Sequence, residues 1–372
     1  MRAVTVFLIV CLLSACVAEP VTQDDEVTER ARAIHERVLT IDSHDDIEFD
    51  FATPAADPGV RQDRQVDLPK MREGGLDAGF FIVYVEQGPR DAEGYAFSHQ
   101  QAMIKFDAIH RMTDMMYPDQ IELAYTADDV ARIAASGKRV AAIGIENGWV
   151  VGQDLDLVGE YYDLGARYMT LAHNGHNDIA DSAQPESALG DGPEEHDGIS
   201  PFGEAVIAEM NRLGMMVDVS HISKAAMLDA VRLSGAPVIA SHSSMAGLTN
   251  HPRNMDDAQL DVLAANGGVI QVVAYPGYLV PEGNPASVAD LVDHIDYAVD
   301  RIGIDHVGIS SDFDGGGGID GWQDASETFN VTLELVRRGY AEADIAAIWG
   351  GNLLRVWREN ERVAAELSAV ED

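Results

Sequence analysis

The chain has 372 residues, and 25 Lys+Arg against 63 Asp+Glu give it a formal net charge of −38. With 46 % apolar residues it can build a hydrophobic core, which excludes a disordered acidic tail. So strong an acidity argues against nucleic acid as a partner and against electrostatic attraction to anionic lipid, since both need clustered cations.

The amino-terminal residues have the pattern of a bacterial signal peptide. Arg2 precedes an apolar run of about eleven residues, too short to span a bilayer and typical of a signal-peptide core. Leu13-Ser14-Ala15-Cys16 resembles the lipobox, in which the cysteine is acylated and becomes the first residue of the mature protein. We predict a lipoprotein-type signal peptide over residues 1–15, lipidation at Cys16 and a tether over residues 16–28.

This interpretation predicts a lipid-anchored protein of the bacterial cell envelope that faces the periplasm. The outer membrane is favoured, because Val17 gives no inner-membrane retention signal. The alternative is an ordinary secretory signal cut near Ala15 or Ala18, which would make the protein secreted and Cys16 incidental. Both cysteines lie at or before Cys16, so the body, residues 29–372, has no disulfide and no cysteine metal ligand.

Apolar, β-rich runs alternate with amphipathic helical patterns along the body. Runs without polar alternation, such as residues 215–219, fit buried parallel strands. A helix is predicted over residues 201–213, with Ser200 as its N-cap and Gly214 as its stop. Strands are predicted at residues 39–44, 79–85, 139–146, 167–173, 215–221, 238–242, 268–274 and 306–312, and further helices at 223–233, 256–265, 287–302 and within 326–366.

Eight strands that alternate with helices predict an α/β fold, a single (β/α)8 TIM-type barrel with extra C-terminal helices. A doubly wound open sheet is the alternative. The chain contains no Walker A motif, and its one Gly-x-Gly-x-x-Gly match, at residues 316–321 after the last predicted strand, does not open directly into a helical pattern. The glycine run at residues 315–318 lacks the Lys-Ser/Thr of a phosphate loop, and we interpret it as a flexible loop.

Polar residues follow the predicted strands, and the carboxyl ends of the strands form the active face of such a barrel. His44 and Asp46 point to one side of an extended strand, and imidazole with carboxylate suits Zn²⁺ or a related divalent ion. Glu146 has two oxygens and could bridge two metals, which can share a hydroxide. The residues expected to meet at this face are His44, Asp46, Glu146, His173, His221, His242 and Asp312.

Taken singly, each of these residues has a structural explanation. A histidine at a strand end can be hydrogen-bonded, Glu146 can pair with an arginine, and Asp46 can cap a turn. The functional signal is the recurrence at six strand ends. The remaining histidines considered have no such placement and are assigned to structure: His99, His110, His251, His294 and His306.

Ordered motifs surround the strand-end residues, among them Ile41-Asp42-Ser43-His44-Asp45-Asp46, Gly144-Ile145-Glu146-Asn147-Gly148, Val219-Ser220-His221, Ala240-Ser241-His242-Ser243, Arg253-Asn254 and Ser311-Asp312-Phe313-Asp314-Gly315. With these motifs the chain resembles the membrane (renal-type) dipeptidases, binuclear zinc metallopeptidases of the amidohydrolase-like superfamily. The resemblance runs from about residue 34 to residue 356.

The resemblance implies two Zn²⁺ ions, with His44 and Asp46 on one, His221 and His242 on the other, and Glu146 bridging both. It also implies roles in catalysis and substrate binding for further residues. His173 would contact the substrate carbonyl or the tetrahedral intermediate. Asp312 would take a proton from the bridging water and give it to the leaving amine. Arg253 would bind the C-terminal carboxylate, and Tyr84 and Tyr275 would line the pocket.

The sequence departs from the common family pattern at Ser43 and Asp45, where Gly and Asn are frequent, and at Asn147, where Gly is frequent. The Asp45 side chain is expected to face away from the ligands. Residues 47–67 and 183–197 lack family landmarks, so the native substrate stays open.

The sequence thus predicts a metallo-dipeptidase that hydrolyses dipeptides with a free C-terminal carboxylate and tolerates a D-residue at the second position. A homodimer is usual for the family. Two alternatives remain: hydrolysis of another amide, a lactone or a natural-product peptide at the same site, and a non-hydrolytic tailoring or binding lipoprotein.

Overall fold

The computed structural model describes residues 23–371. The predicted signal peptide, Cys16 and the first part of the predicted tether lie outside these residues. The first helix, α1 (Gln23–His35), covers residues 23–28, which the sequence analysis assigned to the tether. This stretch is helical, and further along the same helix Ala31 and Ile34 are buried against the body. The tether itself stays a prediction.

Nine parallel strands form one sheet that curls into a barrel. Eight of them follow one another in the order β1-β2-β4-β5-β6-β7-β8-β9, and the short β3 pairs only with the start of β4. The Asp46 amide donates to the Phe313 carbonyl at 2.8 Å, which joins the last strand to the first. The strands are β1 (Ile41–Asp46), β2 (Ala78–Tyr84), β3 (Ile121–Leu123), β4 (Arg139–Glu146), β5 (Ala166–Thr170), β6 (Met216–Asp218), β7 (Ile239–Ser243), β8 (Val269–Val273) and β9 (Val307–Ser310).

Helices surround this barrel, as the (β/α)8 prediction requires, and they continue past the last strand. After α1 they are α2 (Leu68–Gly74), α3 (Ala92–His110), α4 (Ala127–Ala135), α5 (Asp156–Asp163), α6 (Pro201–Leu213), α7 (Lys224–Leu233), α8 (Asp257–Ala265), α9 (Pro276–Leu279), α10 (Val288–Ile302), α11 (Phe329–Arg338), α12 (Glu342–Ala346) and α13 (Asn352–Glu371). π-Helical turns occur at Arg111–Met116 and Ala347–Gly351, and 3₁₀ turns at Gly148–Val151, Ser187–Leu189, Ile304–His306 and Ala325–Glu327.

All eight predicted strands are present, and α6 begins and ends as predicted. The Ser200 hydroxyl accepts from the Gly203 amide at 2.9 Å, and Gly214 ends the helix at φ 83°. The one strand not predicted is β3, whose three residues follow the π-helical turn after α3.

None of the helices within residues 23–371 has the length and apolarity that crossing a membrane requires.

The amino end of the barrel is filled with side chains and covered by α13. Phe80 of β2 packs against Tyr168 of β5 and Trp357 of α13, with ring centroids 5.2 and 5.6 Å apart. All three side chains are almost fully buried. Because the interior is closed from this side, a ligand can approach the strand ends only from the carboxyl end.

Candidate active site

The predicted metal ligands converge at the carboxyl end of the barrel. Glu146, the last residue of β4, lies at their centre. One of its oxygens, Oε1, is 3.1 Å from His221 Nε2 and 3.3 Å from His242 Nε2. The other, Oε2, is 3.6 Å from His44 Nε2, which in turn lies 3.5 Å from Asp46 Oδ2. These contacts link the ends of four strands into one cluster.

The cluster divides into groups whose ligand atoms all lie within 4.8 Å of one another. One group is His44, Asp46 and Glu146, and another is Glu146, His221 and His242. This is the division that the family resemblance implies, with Glu146 shared between the two. A third group joins His44 and His242 to Asp312, which the sequence analysis assigned to proton transfer rather than to metal binding.

The His44 ring is held with a free lone pair towards the cluster. Its Nδ1 lies 2.9 Å from the Tyr168 hydroxyl, which donates its own proton to the Ser43 carbonyl at 2.9 Å. The hydroxyl therefore accepts from His44 Nδ1, so Nδ1 carries a proton and, in the neutral imidazole, Nε2 carries the lone pair. That Nε2 is buried and has no hydrogen-bond partner among the described residues, as expected of a metal ligand.

His242 is oriented in the same way by a different pair of residues. The Ser241 hydroxyl donates to Asp218 at 2.6 Å and lies 2.8 Å from His242 Nδ1, so it accepts the Nδ1 proton. The lone pair of His242 Nε2 then faces His221 Nε2 at 2.7 Å. His221 has a backbone φ of 67°, a strained value for a residue with a side chain.

Burial and the neighbouring charges act differently on the groups of the cluster. Burial would lower the pKa of His44, but the negative charges of Glu146 and Asp46 outweigh burial and hold that pKa well above its ordinary value. Burial lowers the pKa of His221 and of His242 well below its ordinary value, which favours neutral imidazole. Burial would raise the pKa of Glu146, but the histidines around it, His173 and His44 foremost, outweigh burial and hold that pKa well below its usual range. Neutral imidazoles and an ionised carboxylate are the forms that bind metal.

Asp312 follows β9 and faces the same cluster, with its Oδ1 4.0 Å from His44 Nε2. Burial raises the pKa of this carboxyl well above its ordinary value, and the negative charges of Asp46 and Glu146 act in the same direction. Its backbone φ is 59°, again in the left-handed region. Asp312 has no ion-pair partner other than His44 within the described chain, and a strained, buried carboxyl of this kind is typical of functional sites.

His173 and Tyr84 lie side by side at the cavity wall. His173 Nε2 is 3.7 Å from Glu146 Oε1, and its Nδ1 is 3.4 Å from the Tyr84 hydroxyl. His173 belongs to none of the groups that could hold a metal, although its ring lies 4.0 Å from that of His221. It is thus next to the metal ligands without being one of them.

Arg253 lies behind the opposite wall. Its Nη2 donates to the His242 carbonyl at 3.1 Å, its guanidinium is 5.4 Å from the Tyr278 ring centroid, and its Nε has no partner in residues 23–371. The residue is 3 % exposed and does not itself line the cavity. Tyr275 does line it and packs on Tyr278 at 4.3 Å between ring centroids.

A cavity of about 890 Å³ opens over the cluster. Eight of the ten predicted site residues line it, while His44 lies beneath the cluster and Arg253 lies behind the wall. Several lining residues were not predicted. Among them are Phe49 from a loop, Phe97, Gln101 and Lys105 from α3, Trp149 from the 3₁₀ turn after β4, and Tyr278 from α9.

Two smaller predictions about the surroundings are confirmed. The Asp45 side chain faces away from the ligands: it accepts from the Ser311 hydroxyl at 3.3 Å and occupies the space that a Cβ at Gly79 would need. Four of the histidines assigned to structure are hydrogen-bonded away from the site, namely His99 to Tyr161, His110 to the Leu164 carbonyl, His294 to the Leu279 carbonyl and His306 to the Gly268 carbonyl. His251 packs on the Tyr278 ring and accepts from the Arg253 amide.

A (β/α)8 barrel with clustered imidazoles and carboxylates at the carboxyl ends of its strands defines a metal-dependent hydrolase. A family model described as membrane dipeptidase, peptidase family M19, matches residues 28–371. The chain belongs to this family, and its class of activity is that of a metallo-dipeptidase.

Individual relatives agree with this assignment. Dipeptidase tcpJ of Claviceps purpurea is 39 % identical over 305 residues, which are 81 % of this chain and 70 % of that protein. The crystal structure of the probable dipeptidase PvdM from Pseudomonas aeruginosa has a TM-score of 0.88 at 32 % identity and covers 91 % of this chain and 99 % of its own. A metallo peptidase from Rhodobacter sphaeroides, liganded with a phosphinate mimic of L-Ala-D-Ala, has the same fold, with a TM-score of 0.75 at 23 % identity over 87 % of this chain and 99 % of its own.

Proposed function

We propose that the protein is a zinc dipeptidase that cleaves dipeptides with a free C-terminal carboxylate and accepts a D-residue at the second position. The observation that carries the proposal is the cluster around Glu146, in which two groups of three ligands share one carboxylate. Imidazole nitrogens and carboxylate oxygens are the donors that Zn²⁺ prefers in hydrolytic sites. The bare, buried Nε2 of His44 supports a cation at this position.

His44 and Asp46 would hold one ion, His221 and His242 the other, and Glu146 would contact both. Zinc ions bound there would activate a water molecule for attack at neutral pH and would polarise the scissile carbonyl. The chain's own residues do the rest. Asp312 would take up and release the proton, because its buried carboxyl faces the cluster with Oδ1 4.0 Å from His44 Nε2.

The remaining residues position the dipeptide. His173, beside the ligands but not among them, would donate to the substrate carbonyl oxygen. Arg253 would pair with the C-terminal carboxylate through its unpartnered Nε. A longer peptide would lack a carboxylate at this distance and leave the buried guanidinium unpaired, which disfavours it.

The test is the release of amino acids from L-Ala-D-Ala and L-Ala-L-Ala by the zinc-loaded body, detected by ninhydrin or chromatography. We expect both substrates to be cleaved, and Asp312→Asn to lower kcat by about 10²–10⁴-fold with KM little changed. Metal analysis alongside should find two zinc ions per chain. Chelation should abolish activity, and added Zn²⁺ should restore it.

C-terminally amidated dipeptides separate the proposal from general amide hydrolysis. We expect the amidated forms to be poor substrates, since they present no carboxylate to Arg253. Equal cleavage of free and amidated forms would move the assignment to another amide or lactone. A protein that holds two metals and releases nothing from any dipeptide would indicate the non-hydrolytic role instead.

The cavity favours one refinement of the substrate class. Its volume of about 890 Å³ is at the upper end of small-molecule sites, and the exposed rings of Phe49 and Phe97 lie at its rim. Such a cavity accommodates a dipeptide with a bulky or modified side chain. A panel of dipeptides that runs from Ala-Ala to progressively larger side chains tests this, and kcat/KM should not fall as the side chains grow.

We also propose that the chain is anchored in the bacterial envelope through a lipid on Cys16. The support is the Leu13-Ser14-Ala15-Cys16 motif. Radiolabelled palmitate should enter the wild-type protein and not Cys16→Ala, and fractionation should find the wild type with the outer membrane. A labelled Cys16→Ala protein, or an unlabelled wild type in the medium, would indicate ordinary secretion.

A homodimer, the usual state in the family, is tested by light scattering.

A further inference from the structure

One cation in the cavity wall has no counterpart in the site described so far. Lys105 lies on α3, whose residues Gly94, Phe97, Gln101 and Lys105 fall three to four positions apart and face the cavity together. The residue is 4 % exposed, although a lysine on a surface helix ordinarily reaches water.

The ammonium of Lys105 lies between two aromatic rings. Its Nζ is 5.0 Å from the Phe49 ring centroid and 5.6 Å from that of Tyr84. Within residues 23–371 no hydrogen bond or ion pair reaches it, and the negative charges near it are Asp46 and Glu146 of the metal cluster and Glu48 of the cavity wall. Once metal ions balance Asp46 and Glu146, only Glu48 remains, and it forms no ion pair with Lys105, so the ammonium has no direct partner.

The position of Lys105 in the barrel relates it to one end of the substrate. Its neighbour Tyr84 ends β2, whereas Arg253 bonds to the carbonyl of His242 on β7. Four steps separate β2 from β7 in either direction around the eight-strand ring, so the two cations flank the metal cluster from opposite walls. A dipeptide whose carboxylate lies at Arg253 and whose peptide bond lies over Glu146 must place its first residue towards Lys105.

We propose that Lys105 is a specificity-determining residue that binds a carboxylate on the side chain of the substrate's first residue, so that the enzyme prefers dipeptides that begin with Glu or Asp. This inference rests on the proposed dipeptidase function. The Nζ lies beside two aromatic rings at the cavity wall and has no hydrogen-bond partner, so a carboxylate that reaches it forms a charge-assisted pair. A neutral or cationic side chain leaves the buried ammonium unpaired or repelled.

The test compares kcat/KM for L-Glu-L-Ala, L-Asp-L-Ala, L-Gln-L-Ala and L-Ala-L-Ala on the zinc-loaded wild type and on Lys105→Met. Gln has the shape of Glu without its charge. We expect the wild type to prefer Glu over Gln by at least about tenfold, mainly through KM, because the pair is made in the ground state too. The comparison of L-Glu-L-Ala with L-Asp-L-Ala shows which side-chain length brings the carboxylate to Lys105.

In Lys105→Met the preference for Glu over Gln should fall to near unity, while kcat/KM for L-Ala-L-Ala should stay within about threefold of the wild type. Lys105→Arg, which keeps the charge, should retain part of the preference. The matched control is Lys138→Met, which removes a lysine that pairs with Glu122 at the far end of the barrel and should leave all ratios unchanged.

The outcomes separate this inference from the proposed function. Cleavage of all four dipeptides without a preference for the acidic ones overturns the role of Lys105 alone. An equal loss of every substrate in Lys105→Met would assign the residue to packing between Phe49 and Tyr84 and overturn it as well. A wild type that cleaves none of the four overturns both proposals. If the variant is unstable, the wild-type ratio still decides, since a ratio near one contradicts the inference.

Discussion

The two ends of the barrel differ in how their polar side chains are paired and in their backbone strain. At the carboxyl end, polar atoms are left without partners: His44 Nε2, Arg253 Nε and His221 Nδ1 have none among the described residues. At the amino end, charged side chains are tied to the start of the strands, as where Asp77 accepts from Thr40 and pairs with Arg139, although Trp357 Nε1 lacks a partner there. Backbone strain follows the same division, since all six non-glycine residues of positive φ found in residues 23–371 lie in loops after strand ends.

This difference separates function from stability within one fold. Unpaired ligands and strained residues cost free energy and persist only where the rest of the structure compensates. The packed base, with Phe80, Tyr168 and Trp357 in contact, supplies that compensation. Changes at the carboxyl end should therefore affect metal binding and activity, and changes at the amino end should affect the free energy of unfolding.

The largest effect is expected for Glu146→Gln, because one carboxylate serves both groups of ligands. Losing its charge should lower the metal-dependent stabilisation of the folded protein by several kcal/mol. It should also lower activity by roughly 10³-fold or more. Metal content by mass spectrometry should fall, and the rise in Tm on adding Zn²⁺ should shrink. Glu122→Gln, which removes a carboxylate paired with Arg132 and Lys138 at the amino end, is the control and should keep both metals. Full metal content in Glu146→Gln would contradict a shared ligand.

At the amino end the largest effect is expected for Trp357→Ala. The side chain is fully buried against Phe80, so its removal should cost about 3–5 kcal/mol of unfolding free energy. Urea unfolding measures this, and kcat of the remaining folded protein should not change. Leu367→Ala on the same helix, where the side chain is 42 % exposed, should stay within about 0.5 kcal/mol. A loss of kcat in the folded Trp357→Ala protein would show that the two ends are coupled.

The barrel strands and the cluster of polar residues at their carboxyl ends could be predicted from the sequence. Apolar runs located all eight barrel strands within a few residues, and α6 follows from Ser200, Pro201 and Gly214. The metal ligands follow because the carboxyl ends of parallel strands meet at one face, which turns separate motifs into one cluster. Short β3 could not be predicted, since a three-residue run with a central Glu122 is a strand only because β4 pairs with it.

The sequence also did not predict residues whose role depends on a contact with a residue far away in the chain. Tyr168 has the pattern of a buried strand residue, and its contact with His44, 124 positions away, exists only in the folded barrel. Lys105 has the pattern of a solvated helix residue, and only the packing of α3 over Phe49 and Tyr84 buries it. Local patterns thus identify ligands at strand ends but not the side chains that orient them.

Tyr168→Phe tests this orienting role with an effect of intermediate size. Without the hydroxyl, His44 Nδ1 has no acceptor, and the affinity for the metal on His44 should fall by about 10–100-fold. Competition with a zinc chelator measures it. Tyr161→Phe is a matched control, because that hydroxyl also donates to a carbonyl, of Val150 at 2.8 Å, and accepts from a histidine, His99 at 2.9 Å. It should cost about 1 kcal/mol of stability and leave metal affinity unchanged. Equal affinities in the two variants would remove Tyr168 from the site.

The smallest effect concerns a histidine that belongs to stability rather than to function. His35, shortly before β1, donates from Nε2 to the Gly74 carbonyl at 2.8 Å. Its Nδ1 accepts from the Thr332 hydroxyl at 2.7 Å, which itself accepts from Trp349 Nε1 at 2.8 Å. The network is complete only when the imidazole is neutral, because a proton on Nδ1 would leave the Thr332 hydroxyl proton without an acceptor.

Burial accordingly lowers the pKa of His35 below the ordinary value of 6.5. The unfolded chain therefore binds more protons than the folded one in the range between the two pKa values, and stability rises with pH across it. The contribution of His35 is complete above pH 6.5 and is lost as the pH falls through that value towards the folded pKa. Urea unfolding of the metal-loaded wild type and of His35→Gln from pH 8 to pH 5 should give curves whose difference narrows on acidification. Parallel curves would mean that His35 is as readily protonated in the folded barrel as in the unfolded chain, and the amino end would then carry an unpaired charge like those at the carboxyl end.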